Sequence, residues 1–350
     1  MNNANKKNKT KIGKRIFRWM LLLGTIISLY FVPWLLVKAW ILPLPNSIQK
    51  QADQAIDYGF KGLIVYVQQQ DNAPEIFTSG WHNPTQQIPV EKEAYFKIGS
   101  INKLYVAVAI TKLVSAGRLS LDKTLADYLP QLVGRIENAE TITLKMLVQH
   151  RSGIPNFTDT PNYWAHPKAT SEEKLQLILD QPADFEPGQK SAYCNTNYLL
   201  LNIIMDSILG YPNFEFIRTE ILEPLHLQNT FASIHDVNIE NVMSGYHKGH
   251  DADLKTDDIG MVATAEDVGI FLRALNDGTL LTEQEQKIYP YKYEHSGWVP
   301  GYQSFAVYYK DIDAVMVTFY STTDRDLILW NLAEILNKRF AKIIRRHSKK

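Results

Sequence analysis

Ser100 and Lys103 stand three residues apart at the head of an apolar run. On a helix that spacing puts hydroxyl and amine on one face, where the amine can accept or relay the hydroxyl proton. The Ser-x-x-Lys pattern is weak by itself, because it also begins at Ser47, Ser120 and Ser171, and chance supplies on the order of one per chain of this size. Context separates the four. Ser47 falls in a linker and Ser120 in a polar turn, while Ser171 opens a helix on which Thr170 and Glu173 can form a capping box. Only Ser100 lies between an extended Phe96-Lys97-Ile98-Gly99 approach and a long apolar helix. Its hydroxyl then sits at a helix N-terminus, where unpaired backbone N–H groups and the macrodipole favour developing negative charge. A plain N-cap serine is the competing explanation until other motifs agree.

Two others do. Phe185-Glu186-Pro187-Gly188 leads into Tyr193-Cys194-Asn195, followed by an apolar helix from Asn197. A tyrosine phenol near a lysine ammonium is expected to be drawn toward phenolate, which makes it a proton shuttle, and the Asn195 amide can bind a peptide-like substrate group. Tyr211 also starts a Tyr-x-Asn, but Pro212 interrupts it and a turn explains it better. Downstream, His295-Ser296-Gly297-Trp298 precedes Pro300-Gly301-Tyr302 and a hairpin. A small, glycine-bearing edge strand lets substrate approach the backbone, and a strand N–H there can complete an oxyanion hole.

With these three motifs in order, the chain resembles the serine β-lactamases and penicillin-binding proteins, especially the class C enzymes, the D-alanyl-D-alanine carboxypeptidases and the family VIII esterases. Leu147-Val148-Gln149-His150-Arg151-Ser152-Gly153-Ile154-Pro155 and Gly260-Met261-Val262-Ala263-Thr264-Ala265-Glu266-Asp267 also look like recurrent segments of that family. The resemblance covers residues 62–340. It implies Ser100 as nucleophile, Lys103 and Tyr193 as the general base and acid system, and the N–H groups of Ser100 and Trp298 as oxyanion hole. It further implies Asn195, His295, Ser296 and Gly297 as substrate-binding residues, with no cofactor and no metal.

The sequence departs from the family at three places. His295 stands where lactamases and many peptidases carry lysine, and a largely neutral imidazole binds a substrate carboxylate less strongly. Esterase or D-alanyl peptidase is therefore favoured over β-lactamase, and a non-catalytic receptor for cell-wall fragments is the alternative of a different class. Glu294 adds a charge where many relatives have glycine. Cys194 replaces a common serine and reads as a small packing residue.

The elements that must position these groups are legible in outline. Residues 62–68 and 75–79 read as a strand pair, 304–309 and 314–320 as a hairpin about Lys310-Asp311-Ile312-Asp313, and 326–344 as a closing helix. Helical signals dominate between them, at residues 101–116, 144–149, 171–179, 197–209, 214–221 and 265–275. Strands at both ends with helices between imply an α+β, β-lactamase-like fold: one antiparallel sheet flanked by helices, with a mainly helical inserted subdomain at about 119–290. The expected domain spans 56–345, after a linker at 43–55.

Before it, residues 20–37 carry no charge, and at about 1.5 Å per residue such a run crosses a ~30 Å hydrocarbon layer with slight snorkelling of its flanks. Trp19, Trp34 and Trp40 mark its ends, and Lys6, Lys7, Lys9, Lys11, Lys14, Arg15 and Arg18 precede it. These features predict one transmembrane helix at 19–42 after a basic cytoplasmic segment at 1–18, with the rest outside the cytoplasm. A cleaved signal peptide is the rival, but its apolar region would be shorter and no Ala-x-Ala pattern follows.

The 350-residue chain is formally neutral, yet nine basic residues and no acidic one precede Asp53, leaving 28 Lys and Arg against 37 Asp and Glu. Such an acidic body repels phosphate backbones and excludes nucleic acid as a natural partner. The basic tail from Lys338 to Lys350 reads as a solvated helix end. Cys194 is the one cysteine, so no internal disulfide forms. His247, His250, Asp251, Asp253 and Asp257 fall in a Gly- and Asp-rich stretch without metal-site spacing and read as a solvated loop. No Gly-x-Ser-x-Gly elbow occurs, which argues against an α/β-hydrolase. The expected partners are an envelope peptide or ester substrate and the membrane.

Overall fold

The computed structural model describes residues 2–250 and 252–348, with side chains from Lys14 onward. Asp251, the side chains of Lys6, Lys7, Lys9 and Lys11, and the terminal Lys349 and Lys350 lie outside the described residues. The chain forms two compact units, Met1–Pro43 and Leu44–Lys350.

The first unit holds helices Asn2–Tyr30 and Trp34–Ile41. The expected single span at 19–42 is corrected to a bent pair: no described helix is by itself long and apolar enough to cross a membrane, and the two helices meet at 80°. Pro33 is the cause, since it lacks an N–H and its ring drives Val32 out of the helical region. The break is tied locally, with Trp34 Nε1 donating to Leu29 O at 3.0 Å.

The second unit starts earlier than expected. Residues 48–55, expected as linker, belong to the helix Ile48–Asp57, whose N-cap Ser47 accepts from Lys50 N at 3.3 Å. Its apolar stripe, Ile48, Ala52 and Ala55, is buried, and that long-range packing, not composition, makes the segment part of the domain.

In chain order the strands are β1 (Gly62–Gln69), β2 (Glu75–Asn83), β3 (Ile88–Pro89), β4 (Phe96–Lys97), β5 (Thr230–Phe231), β6 (Tyr246–His247), β7 (Val262–Ala263), β8 (His295–Val299), β9 (Tyr302–Tyr309), β10 (Ala314–Tyr320) and β11 (Thr322–Thr323). The main sheet is antiparallel in the order β3-β2-β1-β10-β9-β8, so the two ends of the domain meet at β1 and β10, where Val65 lies opposite Thr318. Strand β10 is buried along its whole length because both sheet faces are covered, which removes the polar alternation of a half-exposed strand. On one face Thr318 and Tyr320 reach Asn337 of the closing helix Ile328–His347, at 2.9 and 2.8 Å. On the other, Phe319 stacks on Phe96 with ring centroids 4.5 Å apart.

The region 119–290 is mainly helical, as expected, but it returns three short strands to the body. Strand β7 joins β4 and β5 in a small sheet, and β6 pairs in parallel with β11. Two-residue strands carry no period that a sequence reading can detect. The helix Asn102–Ser115 runs through the centre, buried from Lys103 to Thr111. That near-complete burial matches its apolar composition on all sides.

Candidate active site

Ser100 sits on the short turn Gly99–Ile101 that feeds the central helix. Gly99 holds a φ of +53° there, a left-handed conformation that costs glycine little and other residues more. The turn aims the Ser100 hydroxyl at two groups. Lys103 Nζ donates to Ser100 Oγ at 3.1 Å, and the Tyr193 hydroxyl forms a short hydrogen bond with the same oxygen. Lys103 also donates to Asn195 Oδ1 at 2.9 Å. An alcohol, an amine and a phenol separated by up to 93 positions thus share one point.

The electrostatics favour proton transfer. Lys103 is 4% exposed, and burial pushes its pKa down from 10.5 to about 7, with no carboxylate among the described residues near enough to hold the charge. Its amine is therefore partly uncharged at neutral pH. Burial raises Tyr193 to about 12, although 46% of the residue as a whole faces solvent. The expectation that Lys103 draws this phenol toward phenolate is reversed: desolvation of the phenolate oxygen dominates, and a partly discharged amine does not offset it. Tyr193 is a proton donor in the resting site.

Asn195 opens the helix Asn195–Leu209. Its amide is used within the protein, accepting from Lys103 and donating from Nδ2 to Thr158 Oγ1 at 3.0 Å.

Strand β8 is the free edge of the main sheet and lies against the Ser100 turn. A Cβ on Gly297 would meet Ile98 O at 2.1 Å and Ser100 N at 2.9 Å, while one on Gly99 would come within 3.0 Å of Trp298 N. Two glycines thus let the turn and the strand touch and bring the N–H groups of Ser100 and Trp298 together. Ser304 Oγ donates to Ile98 O at 2.8 Å and fixes the contact from β9. Along β8, His295, Gly297 and Val299 are buried while Ser296 and Trp298 are half-buried. The structure turns His295 inward, 6% exposed, with both ring nitrogens engaged by Tyr291 and by the Ser296 carbonyl. The Trp298 ring meets Trp164 edge-on at 5.5 Å and makes an aromatic wall beside the turn.

A model of the beta-lactamase family matches residues 47–292. The chain belongs to the beta-lactamase family. It is similar to an Escherichia coli (strain K12) protein provisionally named D-alanyl-D-alanine carboxypeptidase, 24% identical over 202 residues, or 53% of this chain and 46% of that protein. The chain thus spans less than half the length of that curated relative. Its fold is similar to that of the D-amino acid amidase of Ochrobactrum anthropi SV3 complexed with L-phenylalanine amide, with a TM-score of 0.77, 22% identity, and 86% of this chain and 98% of that one covered. It is also similar to EstCE1, described as a hydrolase with promiscuous acyltransferase activity, with a TM-score of 0.67, 18% identity, and 88% and 99% covered. The family match and these structural likenesses agree on a serine beta-lactamase-type fold.

In this beta-lactamase-family chain, the segment around His150-Arg151-Ser152-Gly153 is the clasp of the second motif. Ser152 Oγ donates to Asn197 Oδ1 at 2.6 Å, Cys194 N donates to His150 Nδ1 at 3.2 Å, and Asn195 N donates to Asn156 Oδ1 at 3.0 Å. Gly153 has a φ of +80°, and a Cβ there would stand 1.9 Å from Phe185 O. Asn156, Thr158 and Tyr291 were not singled out by sequence reasoning. They fall in no patterned spacing, and only the fold brings them to the site. Cys194 is buried, with Sγ donating to Ile154 O at 3.3 Å, and burial raises its thiol pKa, which fits packing rather than reactivity. His247 pairs with Thr323 Oγ1 at 2.8 Å, and among the described residues no cluster of His, Cys, Asp or Glu is arranged to hold a metal ion.

Proposed function

We propose that this chain is a serine amidase, peptidase or esterase that forms an acyl-enzyme on Ser100 from D-alanyl-type amides or esters of the cell envelope. One observation carries the reading: Ser100 Oγ is bonded at once to the Lys103 amine and the Tyr193 hydroxyl. Ser100 Oγ attacks the carbonyl carbon while its proton passes to the uncharged Lys103 amine. The carbonyl oxygen takes up negative charge facing the N–H groups of Ser100 and Trp298. Tyr193, protonated at neutral pH, gives its proton to the departing nitrogen or oxygen and recovers one from Lys103. Water then attacks the acyl carbon and loses its proton along the same path, which frees Ser100.

The D-alanyl class is suggested by the name of the Escherichia coli relative and by the D-amino acid amidase with the similar fold. The inward turn of His295 favours amide or ester substrates over β-lactams, whose recognition in the family rests on a lysine at this place.

The proposal includes anchoring of the domain outside the cytoplasm by the N-terminal unit. It is supported by the bent apolar pair Lys14–Tyr30 and Trp34–Ile41, by exposed Leu21, Leu22, Leu23, Ile26, Ile27, Trp34 and Trp40, and by the basic residues ahead of them. Externally added protease should digest the domain in intact spheroplasts while cytoplasmic markers survive.

Wild type and Ser100→Ala should be compared on a short-chain nitrophenyl ester, a D-Ala-D-Ala peptide and a chromogenic cephalosporin, alongside labelling by a fluorescent phosphonate. The reading expects turnover of the ester or peptide and labelling, both lost in the variant. Equal rates for variant and parent sink it, and labelling without turnover would instead identify a receptor.

A further inference from the structure

The two histidines nearest the site are joined through Tyr291, a residue in none of the three motifs. His295 Nδ1 faces the Ser296 carbonyl at 2.6 Å, and a carbonyl only accepts, so that nitrogen carries a hydrogen. The other nitrogen, Nε2, lies 2.9 Å from the Tyr291 hydroxyl. On His150, Nδ1 accepts from Cys194 N–H at 3.2 Å, so the hydrogen of that ring is on Nε2, which faces the Tyr291 oxygen at 3.2 Å. One assignment satisfies every contact. Cys194 N–H donates to His150, His150 donates to Tyr291, Tyr291 donates to His295, and His295 donates to the Ser296 carbonyl. This chain links the second motif to the edge strand, with both imidazoles neutral and in opposite tautomers.

Protonating either ring breaks that order. A hydrogen on His150 Nδ1 would point at the Cys194 N–H. A hydrogen on His295 Nε2 would point at the Tyr291 O–H and force that hydroxyl to turn away, toward the Tyr198 oxygen beside it. Both rings are nearly closed to solvent, at 7% and 6% exposure. The groups facing them are the amines of Lys103 and Lys292, both charged in acid, and the phenols of Tyr193, Tyr198 and Tyr291. Glu294 is exposed and its charge is felt by Lys292. Burial, aided by Lys292 and Lys103, pushes His295 down to about 2, and burial with Lys103 and Lys292 takes His150 to about 4.

We propose that Tyr291 is a positioning residue that determines specificity: by bridging His150 and His295 it keeps the third-motif imidazole neutral and occupied, so the cleft selects acyl donors with an uncharged leaving end, amides and esters, over those ending in a free carboxylate. The inference rests on the acyl-transfer reading above and narrows its substrate class. Lys292 lies on the exposed segment before β8, off the third-motif position that His295 fills.

The test pairs a D-alanyl-D-alanine peptide with its C-terminal amide across pH 5–8. Wild type should favour the amide at least tenfold in kcat/KM, with a ratio flat in pH. Tyr291→Phe removes the hydroxyl that holds His295 Nε2 inward, so the ring is free to turn into the cleft, where solvent lets its imidazolium form, and the ratio should move toward the carboxylate substrate by tenfold or more below about pH 6. Preference of wild type for the carboxylate, or an unchanged ratio in Tyr291→Phe, overturns the proposal. Should that variant fail to fold, nitrogen NMR of the full-length Ser100→Ala protein decides the matter. Neutral rings protonated at Nε2 of His150 and Nδ1 of His295 down to pH 5 support the proposal, and imidazolium signals at pH 6 refute it. Loss of the acyl-transfer reading would show separately, as failure of wild type to take the phosphonate label.

Discussion

Asn195 Oδ1 accepts a hydrogen bond from Lys103 Nζ at 2.9 Å, so the second motif holds the amine of the first. With Ser100 Oγ on its other side at 3.1 Å, the amine is fixed between two oxygens in a place that water barely reaches. That environment lowers its proton affinity and makes it a base near neutral pH. Four expectations follow from the geometry.

The pH dependence of kcat/KM should show an acid limb near pH 7, the pKa to which burial brings Lys103. The active form is the free amine, so the rate rises as pH increases through that value. Lys103→Arg keeps a charge that cannot be shed and should lower kcat by about 10²–10⁴. Initial rates across pH 5–9 check both statements, and an acid limb near 4 would remove Lys103 from the role of base.

Lys103 should also destabilise the fold in a pH-dependent way. Between about pH 7 and 10.5 the unfolded chain carries a proton on this lysine that the folded chain releases, so stability rises with pH by up to about 1.4 kcal/mol per unit in that window. Below about 7 both states hold the proton and the penalty is constant. Lys103→Met should therefore gain most over wild type near neutral pH and lose that advantage toward pH 10. Urea unfolding at the two pH values measures the difference.

Gly297→Ala should separate folding from catalysis. The added methyl would fall 2.1 Å from Ile98 O and 2.9 Å from Ser100 N, both backbone atoms, so β8 must move away from the turn. Loss of one oxyanion donor predicts a fall in kcat of about 10²–10³. Because the strand lies at the sheet edge, far-UV circular dichroism should stay close to wild type.

Ser152→Ala should act on the clasp. It leaves Asn197 Oδ1 without the 2.6 Å donor and Ile154 N without its 3.2 Å acceptor, both buried, at a cost of about 1–3 kcal/mol. Thermal unfolding should report a lowered midpoint. Ser100 does not touch Ser152, so phosphonate labelling in the folded variant should persist.

Much of this arrangement was readable in the residues. The strand pair at Gly62–Gln69 and Glu75–Asn83, the hairpin at Tyr302–Tyr309 and Ala314–Tyr320, and the central helix from Asn102 all carry local signals: β-branched and aromatic runs, turn residues and a long apolar stretch. The Thr170–Glu173 capping box forms as its spacing predicts, with Glu173 N donating to Thr170 Oγ1 at 3.1 Å. Other features were not local. The helix Ile48–Asp57 looked like linker because its reason for being ordered is the sheet it covers. Pro33 is a local signal for a kink, but only the structure shows how far the run bends there, to 80° between two separate helices.

What the sequence determined by itself was the set of reactive groups and their local frames. The Ser100 to Lys103 spacing fixes a hydroxyl and an amine on one helical face, and Gly99 and Gly297 permit a close approach of two backbones. What only the tertiary structure decided was the state of those groups. Lys103 loses charge, Tyr193 keeps its proton and His295 turns inward onto Tyr291. These outcomes depend on which distant residues exclude water and which lone pairs they offer. Desolvation and hydrogen-bond direction are properties of the packed site, and the order of residues along the chain does not contain them.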